Sequence, residues 1–143
     1  MSHDRSSVET RFGTFTAGPD DVVHLVAALP GFDTCFRYVL LSTPAIEPFT
    51  CIQGLDEPRP SFLAIPTRVV DPGHLQTLGA ADREKLGAAD NAELLWLALV
   101  RIDGEDAFAN LRAPLVINPR GMRGLQVLSA DERDAIDHPL ALD

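Results

Sequence analysis

The sequence predicts an all-β fold: a small open or barrel-like antiparallel sheet domain with one or two short helices. Eleven prolines and ten glycines are spread through the whole length and cut it into short pieces. Those pieces are rich in β-branched, aromatic and aliphatic residues and are bounded by turn formers. No stretch sustains a long helical period.

The elements follow in order. Residues 8–15 alternate, with Val8, Thr10, Phe12 and Thr14 on one side, and residues 20–26 form a β-branched run enclosing His24. Both read as strands. Residues 38–41, 49–53 and 62–65, each bounded by Pro or Gly, are three more. A helix is predicted over 80–86, where good helix formers run up to Gly87, placed as a C-terminal glycine should be. The leucines of 93–102 would allow a helix, but the apolar block running into Val100 and Ile102 fits a strand buried on both faces, which is the reading adopted. Residues 115–117 and 125–128 form a hairpin or tight corner around the turn Asn118, Pro119, Arg120, Gly121. Ser129 with Glu132 has the form of a capping box and predicts a short helix that His138 and Pro139 would end. The sum is roughly eight or nine strands curled into a barrel-like form.

At 143 residues the chain suits one domain with a core that needs no staples. The expected organisation is a flexible N-terminal segment over 1–7, a β domain over 8–137 and a C-terminal tail over 138–143. Twelve Lys and Arg against 21 Asp and Glu give a net charge of −9. Such a field repels phosphate backbones and anionic membranes and attracts basic partners, so direct nucleic-acid or membrane binding is disfavoured. Arg101, Arg112, Arg120 and Arg123 gather late in the chain and read as scattered solvated charge. Cys35 and Cys51, the only cysteines, sit in apolar settings and read as small core residues with free thiols. No signal peptide or membrane-spanning run is present, which points to the cytoplasm.

Catalytic signatures are missing. His3, His24, His74 and His138 share no metal-ligand spacing, and no nucleophile elbow, phosphate loop or dinucleotide fingerprint occurs. No catalytic residue, metal or cofactor is expected. Two acidic segments are more suggestive: Asp56 and Glu57 in a loop bracketed by Pro58 and Pro60, and the run from Asp103 through Glu105 and Asp106, read as an exposed loop. Carboxylates on stiff loops make an electrostatic docking surface for a basic partner, although solubility alone also explains them.

Three segments together carry a family resemblance. The first is Leu29, Pro30, Gly31, Phe32, Asp33. The second runs from Pro48 and Phe49 through Ile52, Gln53, Asp56, Glu57 and Pro58 to Phe62 and Pro66. The third is the stretch Asn110, Leu111, Arg112, Ala113, Pro114 through Asn118, followed by Gly124 and Gln126, with His138, Pro139 and Leu140 at the end. In order and spacing they resemble the flagellar assembly factor family FliW over nearly the whole chain. Ala28, Gly54 and Phe108 depart from its pattern, with glycine, serine and threonine expected at those positions. Many motif residues read as scaffold: Pro30 and Gly31 turn Phe32 inward, Asn110 and Asn118 satisfy backbone groups at strand ends, and Pro114 sets the start of a strand.

The resemblance implies a monomeric, non-enzymatic partner switch that binds flagellin in the cytoplasm and, once free, binds and antagonises the RNA-binding regulator CsrA. Asp56, Glu57, Glu105 and Asp106 are the expected acidic docking residues, and exposed apolar surface near Phe49 and Phe62 is expected to meet flagellin helices. The competing reading is a small β-barrel that holds a small-molecule ligand. A third, a hydrolase, would need His24 or His74 beside Ser, Cys or Asp in a cleft.

Overall fold

The computed structural model describes residues 5–90 and 92–141. The strands are β1 (Ser6–Thr10), β2 (Gly13–Ala17), β3 (Val22–Leu25), β4 (Arg37–Leu41), β5 (Thr50–Gly54), β6 (Ser61–Pro66), β7 (Leu95–Asp103), β8 (Asp106–Ala109), β9 (Leu115–Asn118), β10 (Arg123–Gln126) and β11 (His138–Leu140). Two short helices, α1 (Thr67–Val70) and α2 (Ala80–Lys85), lie between β6 and β7. Strand order in the main sheet is β11-β8-β7-β6-β5-β4-β3-β10-β9, and β9 pairs back onto β7. That extra pairing closes seven strands, β3 to β7 with β9 and β10, into a barrel.

Strand β7 makes the closure workable because it is nine residues long and divides its edge between two neighbours. Leu95 to Leu97 face β9, whereas Val100 to Asp103 face β8. Beyond that fork, β8 and β11 leave the barrel as a flap. All strand pairs are antiparallel except β10 with β3.

Alternation along the strands sends one set of side chains into the lumen and the other outward. Val23, Leu25, Tyr38, Ile52, Ala64, Leu97, Leu115 and Ile117 fill the lumen with Leu29 and Cys35. Gly124 lies against it, and a Cβ there would come within 2.8 Å of Leu25 Cδ2. Outside, three smaller cores form. The β1–β2 hairpin covers Val39, Leu41 and Cys51; Leu78 and Leu86 cover Trp96, Val116 and Leu125; Leu111 and Ala109 pack on Ile65 and Ala98. Strand β7 is buried on both faces only over Trp96, Leu97 and Ala98; Leu95 and Ile102 at the ends of the apolar block are exposed, against expectation. It is the predicted strand.

Several expectations require correction. Residues 8–15 are not one strand. Arg11 and Phe12 form the turn of a hairpin, and Gly13, at φ +124°, makes the reversal. Residues 20–26 begin as a 3-10 turn over Pro19–Asp21 before β3 starts. The acidic run 103–106 is no loop but a tight hairpin, with Asp103 opposite Asp106 and Gly104 at φ +63°. Ser129 opens no helix: its hydroxyl accepts the Asp131 N–H, and turns continue to β11. The strands also run past the expected boundaries, since Ser6 and Ser7 belong to β1 and His138, Pro139 and Leu140 form β11. These differences raise the strand number among the described residues to eleven.

Candidate functional site

A groove of about 590 Å³, lined mostly by apolar residues but also by Glu47 and His138, runs between the flap and the barrel. Phe49 and Pro48 from the loop before β5 form one side, Val69 and Val70 of α1 the next, and Pro139, Leu140 and Ala141 of the β11 edge the opposite wall. Ile65 lies at its base, part of the core in which Phe49, Val70 and Leu140 are half buried. The groove exists because β6 turns straight into α1 at Pro66 while β11 stands off on the flap. Pro139 sits in an edge strand, where its missing N–H faces away from the ladder and blocks addition of another strand.

Phe62, expected on the surface beside Phe49, points elsewhere. Alternation along β6 puts it on the face of Ala64, where it is half buried against the lumen core, edge-on to Phe32 at a centroid distance of 5.2 Å and 6.3 Å from Tyr38. Phe32 reaches it because the turn at Gly31, φ +87°, closes through the Phe32 N–H to Leu29 carbonyl bond of 3.0 Å. Burial pushes the Tyr38 hydroxyl upward from its ordinary pKa.

The acidic residues divide. Asp56 is committed internally: Oδ1 accepts from Arg37 Nη2 at 2.7 Å and Nε at 3.0 Å, and Oδ2 accepts the Phe36 and Arg37 N–H groups. The Arg37 guanidinium first, then those two backbone donors, hold the carboxyl at about 2. Glu57, by contrast, is exposed, and its carboxylate lies 3.4 Å from Arg59. Glu105 and Asp106 are exposed at the β7–β8 hairpin tip, and Arg101, 3.6 Å from Asp103, also covers the Phe108 ring. Like charges opposite one another across a strand pair are destabilising. Asp103 facing Asp106 is such a pair.

His24 is exposed on β3, between Arg37 and Arg123 of its neighbouring strands. His74 is buried beside Asp134, at 3.1 Å, but the Ser129 hydroxyl donates to Asp134 and not to the imidazole. That order does not activate a nucleophile, which needs its base in direct contact. His3 lies outside the described residues. Asn110 and Asn118 do satisfy backbone: Asn110 Oδ1 accepts from Arg112 and Ala113, and Asn118 Nδ2 donates to the Leu86 carbonyl ending α2. The His74 and Asp134 pair could not be read from the sequence, because sixty residues separate them and each stands in a polar stretch.

Among the described residues no helix is long and apolar enough to cross a membrane. The family model described as FliW protein matches residues 7–140. The flagellar assembly factor FliW of Moorella thermoacetica is 31% identical over 134 residues, covering 92% of this chain and 85% of that protein. That of Geobacter sulfurreducens is 30% identical over 132 residues, covering 91% and 82%. A crystal structure of the flagellar assembly factor FliW superposes with a TM-score of 0.82 at 25% identity, covering 96% of this chain and 98% of that one. With a matching model along nearly its full length and the same barrel beneath it, the chain belongs to the FliW family of flagellar assembly factors.

Proposed function

We propose that this protein is a non-enzymatic, cytoplasmic partner switch: it seats a terminal helix of flagellin in the groove and, when free, docks the basic RNA-binding regulator CsrA against its acidic surface, relieving repression of flagellin synthesis. The observation that carries this reading is contiguity. Ala107 of β8 pairs with Leu140 of β11, so the acidic tip at Glu105 and Asp106 adjoins the end of the groove lined by Leu140 and Ala141. A helix lying in the groove would crowd a partner held at the tip. Helix-in-groove binding suits a cleft with a blocked strand edge, and a net charge of −9 suits a partner whose own surface must bind RNA.

In this reading Glu57, Glu105 and Asp106 supply docking charge, Phe49 supplies apolar contact, and Asp56 shapes the loop that presents Glu57. Phe62 acts by packing against the lumen core. The small-molecule alternative loses its natural chamber, because side chains fill the lumen. Calorimetric titration of the purified protein with CsrA, and separately with flagellin, at low and raised salt tests the proposal. Salt-sensitive binding to CsrA and salt-tolerant binding to flagellin are expected. Failure to bind either at micromolar concentration would overturn it.

A further inference from the structure

His74 is 2% exposed, in the loop between α1 and α2. Its Nε2 lies 3.1 Å from Asp134 Oδ2 and 3.3 Å from the Leu111 carbonyl oxygen. Both neighbours are acceptors, and Oδ2 also takes the Ser129 hydroxyl proton. Nε2 is therefore a donor, shared between two oxygens. Among the described residues the buried Nδ1 has no hydrogen-bond partner.

A buried polar chain is weak evidence for stability, because desolvation offsets much of its attraction; its better-attested use is to fix one arrangement among several. What this chain joins is informative. The His74 N–H donates to the Asp71 carbonyl at 2.9 Å, and Arg68 Nε donates to the His74 carbonyl at 3.3 Å. Those bonds fasten His74 to the end of α1, whose Val69 and Val70 wall the groove. On the other side Asp134 stands shortly before β11, the opposite wall. Leu111, the third partner, packs its side chain into the core shared by Phe49, Val70 and Leu140.

We propose that the His74, Asp134 and Ser129 chain is a clip that holds the α1 and β11 walls at one separation and thereby sets the affinity of the groove for a helix it never touches. The affinity part rests on the groove being the flagellin site; the separation part does not. His74 is then a positioning residue, distinguishable from a merely stabilising one by the wall-to-wall distance.

Nitroxide labels at Val69→Cys and Asp137→Cys, both exposed positions, report that distance by double electron–electron resonance, while native Cys35 and Cys51 are 0% exposed and escape labelling. A narrow distribution is expected with His74 intact, a broadened one in His74→Leu, and recovery in His74→Gln, whose amide restores a donor near the Nε2 position. In unlabelled protein, His74→Leu should weaken flagellin binding about tenfold, and His74→Gln should restore it. An unchanged distribution in His74→Leu overturns the clip, whatever flagellin does. If His74→Leu does not fold, Ser129→Ala, which removes one donor from Asp134, should broaden the same distribution, and an unchanged one overturns the clip equally. Flagellin failing to bind the intact protein would sink the groove reading, and the distance measurement would still decide the clip.

Discussion

Arg37 and Asp56, 19 residues apart, grip one another through two charge-assisted hydrogen bonds of 2.7 and 3.0 Å to a single carboxylate oxygen. The other oxygen caps the N–H groups of Phe36 and Arg37 at the start of β4, each at 3.1 Å. Nearby, the Thr34 hydroxyl donates to the Glu57 carbonyl at 2.8 Å, so the proline-bracketed loop is pinned at successive residues. A carboxylate that reads as a docking charge is also part of what holds the loop in shape.

That geometry sets a pH dependence. The Asp56 carboxyl is held at about 2 in the fold, below its ordinary 3.8. A depressed carboxylate contributes stability above its unfolded pKa and loses it as pH falls through the folded one. Urea unfolding of the native chain and of Asp56→Asn should therefore differ by a constant amount above about pH 5, with the difference shrinking from about pH 4 down to about pH 2. A difference of unchanged size at the acid end would mean that the charge is not its source.

The surroundings of Gly54 leave no room for a side chain. A Cβ at this position would lie 2.6 Å from Pro60 Cδ, 2.9 Å from Cys35 Sγ and 3.1 Å from the Pro60 backbone nitrogen. Relief requires backbone movement, because Pro60 is tied to this strand by the Gly54 N–H to Pro60 carbonyl bond of 2.7 Å. Gly54→Ser should cost about 1–3 kcal/mol in unfolding free energy, as overpacking generally does. Adding Cys35→Ala removes one of the crowding atoms and should return part of the loss; strict additivity of the two changes would argue against the contact.

How much was legible follows from the range of the signals. Strands β4 to β7, β9 and β10 and helix α2 are marked by local runs and turn residues, and so the barrel could be read from the chain. The β1–β2 hairpin could not, because the alternation continues across Arg11 and Phe12, and only Gly13 marks the reversal. Strand β11 carries Pro139, which argues against a strand unless the strand is an edge, and edge status is a property of the sheet. The inward turn of Phe62 depends on the register of β6, and the duties of Asp56 and His74 on partners distant in sequence. A local pattern reports which residue types can dock or catalyse; it does not report which are already engaged.

At the β7–β8 tip the arrangement predicts opposite effects on stability and binding. Asp103 and Asp106 face each other across the hairpin, with Arg101 the partner of Asp103. Asp106→Asn should raise the unfolding free energy by about 0.2–1 kcal/mol, an increment that diminishes in high salt. The same change, and Glu105→Lys more strongly, should weaken CsrA binding chiefly through a slower association rate. Stopped-flow association at two salt concentrations checks this. Unaltered association in Glu105→Lys would remove the tip from the docking surface.

The two phenylalanines offered as flagellin contacts should separate cleanly. Phe62 is half buried and packs against Phe32 and Tyr38 at the lumen core, so Phe62→Ala should lower the unfolding free energy measured in urea, by less than the roughly 3–5 kcal/mol of a fully buried phenylalanine. Under conditions where that variant remains folded, its flagellin affinity should change little, since the groove is lined by other side chains. Phe49 is half buried and lines the groove, so Phe49→Ala forfeits only part of that packing but removes a contact the helix would bury. Calorimetric titration with flagellin should show Phe49→Ala about tenfold or more weaker than the parent, the range of a moderate interface contact. If Phe62→Ala lost binding while folded and Phe49→Ala kept it, flagellin would have to engage another face of the barrel.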